Sequence, residues 1–107
     1  APGGWEPILK ERAGVRSIKG ALESDGYEIV GEEVRIKTPF GDRVIDLIAE
    51  YKGKYYAIEV KNGPYARQTF WQKIKDGWLY QAPREIRLPT GDVVTLEGAS
   101  TVYVDVP

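Results

Sequence analysis

Apolar residues recur at two periods along the chain, and each period predicts its own elements. From Trp5 to about Ser24, Ile8, Val15, Ile18 and Leu22 return at helical spacing and form one stripe. Gly14 and Gly20 interrupt a helix that is otherwise well patterned, and Gly26 in "SDGY" is placed to cap its end. The period then shortens to two. A strand is predicted near Tyr27 to Lys37, where Val34 and Ile36 alternate with Arg35 and Lys37. "TPFGD" reads as a turn. Two further strands, 43–51 and 54–61, flank Lys52-Gly53, a two-residue hairpin loop with glycine second.

Asn62-Gly63-Pro64 breaks the last of these strands. Pro64 suits the first turn of a second helix, which is predicted to run to about Tyr80 with Phe70, Ile74 and Trp78 on one face. "EIRL", "VVTL" and "TVYVDV" are predicted as short strands near the end. The predicted class is α/β (α+β), in the order α-β-β-β-α-β, with a mixed central sheet flanked by helices. Residues 1–4 are expected to form a flexible lead-in and 5–107 a single domain, as the length suggests.

Charges break the apolar pattern inside the hairpin. Asp46 interrupts one strand, and Glu59 and Lys61 the other. If Tyr51 faces Lys54 across the turn, counting back sets Asp46 opposite Glu59, with Cβ atoms about 4.5–5.5 Å apart. Lys61 lies two residues on, on the same face. Two adjacent carboxylates resist ionising together, and a divalent cation held by oxygens resolves that conflict. By this reading Glu59→Ala relieves a like-charge pair and leaves the fold largely intact. The alternative is a cross-strand salt bridge in which Lys61 neutralises one acid. Glu11 projects into the helix-one stripe, where an acid needs a partner such as a metal, or an arginine at the stripe's edge. Thr69 and Gln72 lie on the polar side of helix two, roughly opposite its apolar face.

Composition narrows the chemistry. The chain has no Cys and no His, which excludes disulfides, thiolate zinc sites, Ser-His-Asp and Cys-His catalysis, and histidine metal sites. Catalysis would have to use carboxylates, Lys, Tyr, hydroxyls or a metal held by oxygens. The net charge is −1, but residues 61–87 hold six basic against two acidic side chains. That segment reads either as a phosphate-binding face or as a solvated helix face. Starting at Ala1 and lacking Met throughout, the chain is expected to be an excised or processed piece of a longer protein. No apolar run reaches membrane-spanning length.

The acid in helix one, "VID" ending at Asp46, "EVK" at Glu59–Lys61 and Gln72 in helix two together resemble the PD-(D/E)XK nuclease superfamily over about residues 5–80. Ile45 stands where the family name has proline. Within it, "EVKNGPYARQTFWQ" is similar to a run in bacterial polymorphic toxin domains, including the C-terminal nuclease domains of contact-dependent growth inhibition proteins.

The resemblance implies a restriction-endonuclease-like core and a metal-dependent endonuclease using Mg²⁺ or Mn²⁺, with Zn²⁺ a further option. It implies that Asp46, Glu59 and Glu11 hold metal, that Lys61 assists the nucleophile or transition state, and that Thr69 and Gln72 support substrate binding. It also implies a toxin domain at the end of a larger exported bacterial protein, acting in the cytoplasm of a target cell and neutralised by an immunity protein. Basic and aromatic residues interleave at Tyr65, Arg67, Trp71, Lys73 and Lys75. They suit stacking on unpaired tRNA bases, or tracking of DNA phosphates. Two other readings stand beside this one: a DNA repair or junction-resolving nuclease of the same superfamily, and a binding module without catalysis.

Overall fold

The computed structural model describes residues 6–63 and 84–106, with the side chains of the first helix described from Arg12 onward. Helix α1 spans Glu6–Ser24. Strands follow at Glu28–Thr38 (β1), Gly41–Tyr51 (β2), Lys54–Asn62 (β3), Arg84–Arg87 (β4) and Val93–Val104 (β5). The predicted second helix falls on 64–80, outside the described residues.

Local chemistry accounts for the ends of these elements. At the end of α1, Gly26 N–H donates to Glu23 O at 3.1 Å and Tyr27 N–H to Leu22 O at 3.0 Å. Gly26 has φ 93, the left-handed conformation that this closure requires. Between β2 and β3, Lys52 and Gly53 both have positive φ, 51 and 81. This pair of angles belongs to the turn whose twist matches a two-residue hairpin. The register follows: Tyr51 pairs with Lys54, and the ladder runs back to Leu47 opposite Ile58.

The five strands form one mixed sheet in the order β1-β2-β3-β5-β4. β1 with β2, β2 with β3 and β4 with β5 are antiparallel, whereas β3 and β5 run parallel. The expected mixed sheet is therefore present. "VVTL" and "TVYVDV" are one continuous strand rather than two. Val93–Leu96 pair with β4, and Leu96 together with Gly98 to Val104 pairs with β3, so two different neighbours hold one strand.

α1 covers one face of the sheet. Its Val15, Ile18 and Leu22 pack on Leu47, Ile58 and Val60. A second cluster, including Val34, Ile36, Ile45, Ile48 and Ala57, lies apart from it. Gly14 lets the helix approach closely, because a Cβ there would stand 2.8 Å from Asn62 Cβ. Asn62 cannot yield easily: it is bonded both ways to Val106, with Nδ2 donating to Val106 O at 3.1 Å and Oδ1 accepting from Val106 N at 2.9 Å.

Candidate functional site

The site begins where two strands part. β2 and β3 pair only as far as Leu47 and Ile58, yet β2 extends back to Gly41 and β3 forward to Asn62. β3 keeps its other neighbour, β5, as far as Asn62 opposite Val104. β2 stays with β1 as far as Gly41 opposite Thr38. The sheet therefore forks, with the β1–β2 arm on one prong and β3–β5 on the other.

Asp46 stands at the fork. Its Oδ2 accepts a hydrogen bond from the Val60 amide at 2.8 Å. A side chain thus satisfies an amide of β3 that the β2 backbone no longer reaches, and Val60 is almost fully buried. Ile45 and Leu47, two residues apart and so expected on one face, belong to different clusters. The facing of β2 changes at Asp46. In β1, between the pairs Glu32–Leu47 and Val34–Ile45, Glu33 has φ 50, a conformation unusual for a non-glycine residue.

A cleft of about 640 Å³ opens at this fork. Asp46, Glu59 and Lys61 all line it, so the three charges singled out in the hairpin do share one site. The α1 wall contributes Arg12, Val15, Arg16 and Lys19, and the arm contributes Glu32, Glu33, Arg43 and Val44. Lys19 Nζ pairs with Glu32 Oε2 at 3.2 Å. Among the described residues, Arg12, Arg16 and Lys61 are in no ion pair.

The ion-pair partner of Glu59 is not the Lys61 of the salt-bridge expectation. Arg43 Nη2 lies 2.9 Å from Glu59 Oε2, and each side chain is only 8% exposed. Arg43, not Lys61, supplies the ion pair. Arg43 also donates from Nη1 to its own neighbour's carbonyl, Val44 O, at 2.9 Å. The expectation that Glu59→Ala would relieve like-charge repulsion is corrected accordingly: that substitution removes one half of a buried ion pair.

An all-oxygen pair, Asp46 and Glu59, is the kind of donor set that a hard divalent cation takes, with water and phosphate completing its shell. Both residues carry oxygens that fit such an ion, and Arg43 already neutralises Glu59 at Oε2. Among the described residues no group of three acidic, His or Cys side chains converges as a ready-made metal cage. The proposed third carboxylate, Glu11, is on α1, but its side chain lies outside the described part. The substrate-binding candidates Arg67, Thr69, Gln72 and Lys73 also lie outside the described residues.

Two features escaped the sequence reading. Arg43 precedes Ile45 by two positions, so the alternation of β2 already sets a cation on an inward-facing position. Arg12, Arg16 and Lys19 recur at helical spacing beside the Val15–Ile18–Leu22 stripe, which marks a basic flank on α1.

No protein-family model matches the chain, and no curated protein matches it. Among the described residues, no helix is long and apolar enough to cross a membrane.

Proposed function

We propose that this chain is a metal-dependent endonuclease of the PD-(D/E)XK type. The observation that carries this reading is the convergence of Asp46, Glu59 and Lys61 on one cleft at the fork between β2 and β3. The order of elements supports it: a helix, three antiparallel strands, and a later strand returning parallel to β3, with β4 added at the edge. In this reading the core is restriction-endonuclease-like.

Asp46 and Glu59 would hold Mg²⁺ or Mn²⁺, with Glu11 a further ligand and Zn²⁺ an alternative ion. The bound ion supplies Lewis acidity at the scissile phosphate and lowers the pKa of an attacking water. The chain's own residues do the rest. Lys61 brings an ammonium to the attacked phosphoryl group and opposes the charge that develops on it. The Val60 amide fixes the Asp46 carboxylate through Oδ2. Arg12 and Arg16, on the α1 wall, bind flanking backbone phosphates, which makes α1 a positioning surface for the strand being cut. Thr69, Gln72, Arg67 and Lys73 would complete the contacts from the segment after β3.

The substrate is a nucleic acid, tRNA or DNA. The similarity of "EVKNGPYARQTFWQ" to polymorphic toxin domains supports a role as the C-terminal toxin domain of a larger exported bacterial protein. Such a domain acts in the cytoplasm of a target cell and is held inactive by an immunity protein.

The test is incubation with total tRNA and with plasmid DNA in Mg²⁺, Mn²⁺ or Zn²⁺, with Asp46→Asn and Lys61→Ala alongside. Cleavage that needs the ion and both residues is the expected result. Full turnover in excess EDTA would remove the metal, and binding without cleavage under every condition would favour a non-catalytic module. Preference for branched DNA by a dimer would favour a junction-resolving enzyme.

A further inference from the structure

We propose that Arg43 is the site's internal counter-cation, which holds Glu59 when no metal is bound and must give it up when a divalent ion enters. The inference rests on the metal-nuclease reading above and concerns how that site is loaded.

Glu59 is buried and lines the same cleft as Asp46, and a buried carboxylate needs compensating charge. Arg43 provides it at 2.9 Å. A guanidinium stays protonated at any physiological pH, so the compensation is permanent until something displaces it. A divalent ion held by Asp46 and Glu59 would bring a second cation to the carboxylate that Arg43 already neutralises.

Arg43 is built to yield. It sits on the arm of β2 that has already parted from β3, and its Nη1 donates to Val44 O of its own strand while Nη2 reaches Glu59 on β3. It also lines the cleft, so a displaced guanidinium remains in the cavity that the substrate phosphate would enter. There its planar fork can take two phosphate oxygens at once. Loading the ion would therefore turn a structural ion pair into a phosphate ligand, and in the metal-free site the chain's own side chain holds Glu59.

Mn²⁺ binding to the whole chain, followed by calorimetry and by the thermal shift that Mn²⁺ produces, tests this without reference to activity. Close charge pairs couple strongly enough that losing the competitor should tighten Mn²⁺ by about tenfold or more in Arg43→Met. The Mn²⁺-induced rise in Tm should likewise be larger in Arg43→Met than in the unmutated chain. Arg43→Lys keeps a cation with a shorter reach and should fall between them, which carries the test if Arg43→Met does not fold. Adding Glu59→Gln to Arg43→Met should abolish the gain. Equal Mn²⁺ affinity in the unmutated chain, Arg43→Met and Arg43→Lys overturns the role of Arg43 while leaving the metal site in place. No Mn²⁺ binding in any form overturns it together with the metal-nuclease reading.

Discussion

Arg43 and Glu59 meet at 2.9 Å across the gap where β2 and β3 separate, both almost wholly out of solvent. The pair ties the free arm of the hairpin to the central strand at the point where backbone pairing has ended. Its loss should therefore be felt in stability. Arg43→Met without metal should cost about 3–5 kcal/mol, because it strips the counter-charge from a buried acid. Arg43→Met combined with Glu59→Leu should recover most of that loss, since apolar replacement of both partners is often neutral. Urea denaturation of the three proteins checks both statements. A single substitution that costs under about 1 kcal/mol would mean that the pair contributes as little as an exposed one.

Asp46 has a structural duty that can be separated from its proposed catalytic one. Asp46→Asn retains a side-chain oxygen for the Val60 amide, and the fold should keep its stability to within about 1 kcal/mol. Asp46→Ala leaves that buried amide without its acceptor and should cost about 1–3 kcal/mol. Both should lose metal-dependent cleavage. Equal melting temperatures for the two variants would show that the hydrogen bond is not what holds the fork.

Two glycines in one helix should respond in opposite directions. Gly14→Ala puts a methyl 2.8 Å from Asn62 Cβ and 3.2 Å from Val104 Cγ2, so α1 must lift from the sheet. A loss of about 1–3 kcal/mol is expected from this overpacking. A Cβ at Gly20 meets nothing within 4 Å, and Gly20→Ala should stabilise by about 0.5–1 kcal/mol through helix propensity alone. Thermal unfolding of both variants gives the comparison.

The basic flank of α1 should act through charge rather than through fold. Arg12→Gln and Arg16→Gln should leave unfolding within about 0.5 kcal/mol of the parent, because both side chains are exposed. Each should reduce the slope of log affinity against log salt by about 1 in nucleic-acid binding. An unchanged slope in the double variant would place the phosphate contacts elsewhere on the molecule.

Much of this architecture could be read directly from residue patterns. The α1 stripe, the cap at Gly26 and the hairpin at Lys52-Gly53 all rest on contacts close in sequence, where period and turn chemistry decide. The register from Tyr51–Lys54 back to Leu47–Ile58 follows from a two-residue turn by counting alone. Counting fails at the next step, because β2 leaves β3 there and Asp46 reaches the Val60 amide with its side chain instead of continuing the ladder. The merging of "VVTL" with "TVYVDV" was equally hidden. Gly98 looks like an interruption until β3 is present to pair with it.

The sequence by itself determined the described helix, the hairpin and which three charges interrupt that hairpin. Asp46, Glu59 and Lys61 stand at positions dictated by strand alternation, and the tertiary structure does bring them to one cleft. Only the tertiary structure decided their partners. Whether Glu59 meets Lys61 two residues away or Arg43 sixteen residues back depends on how the β1–β2 arm twists after the fork. That twist is set by the change of face at Asp46, by the left-handed Glu33 and by packing against a distant cluster, none of which a local pattern encodes. Short-range order is written in spacing, whereas the counter-charge of a buried acid is chosen by whichever cation the folded sheet carries to it.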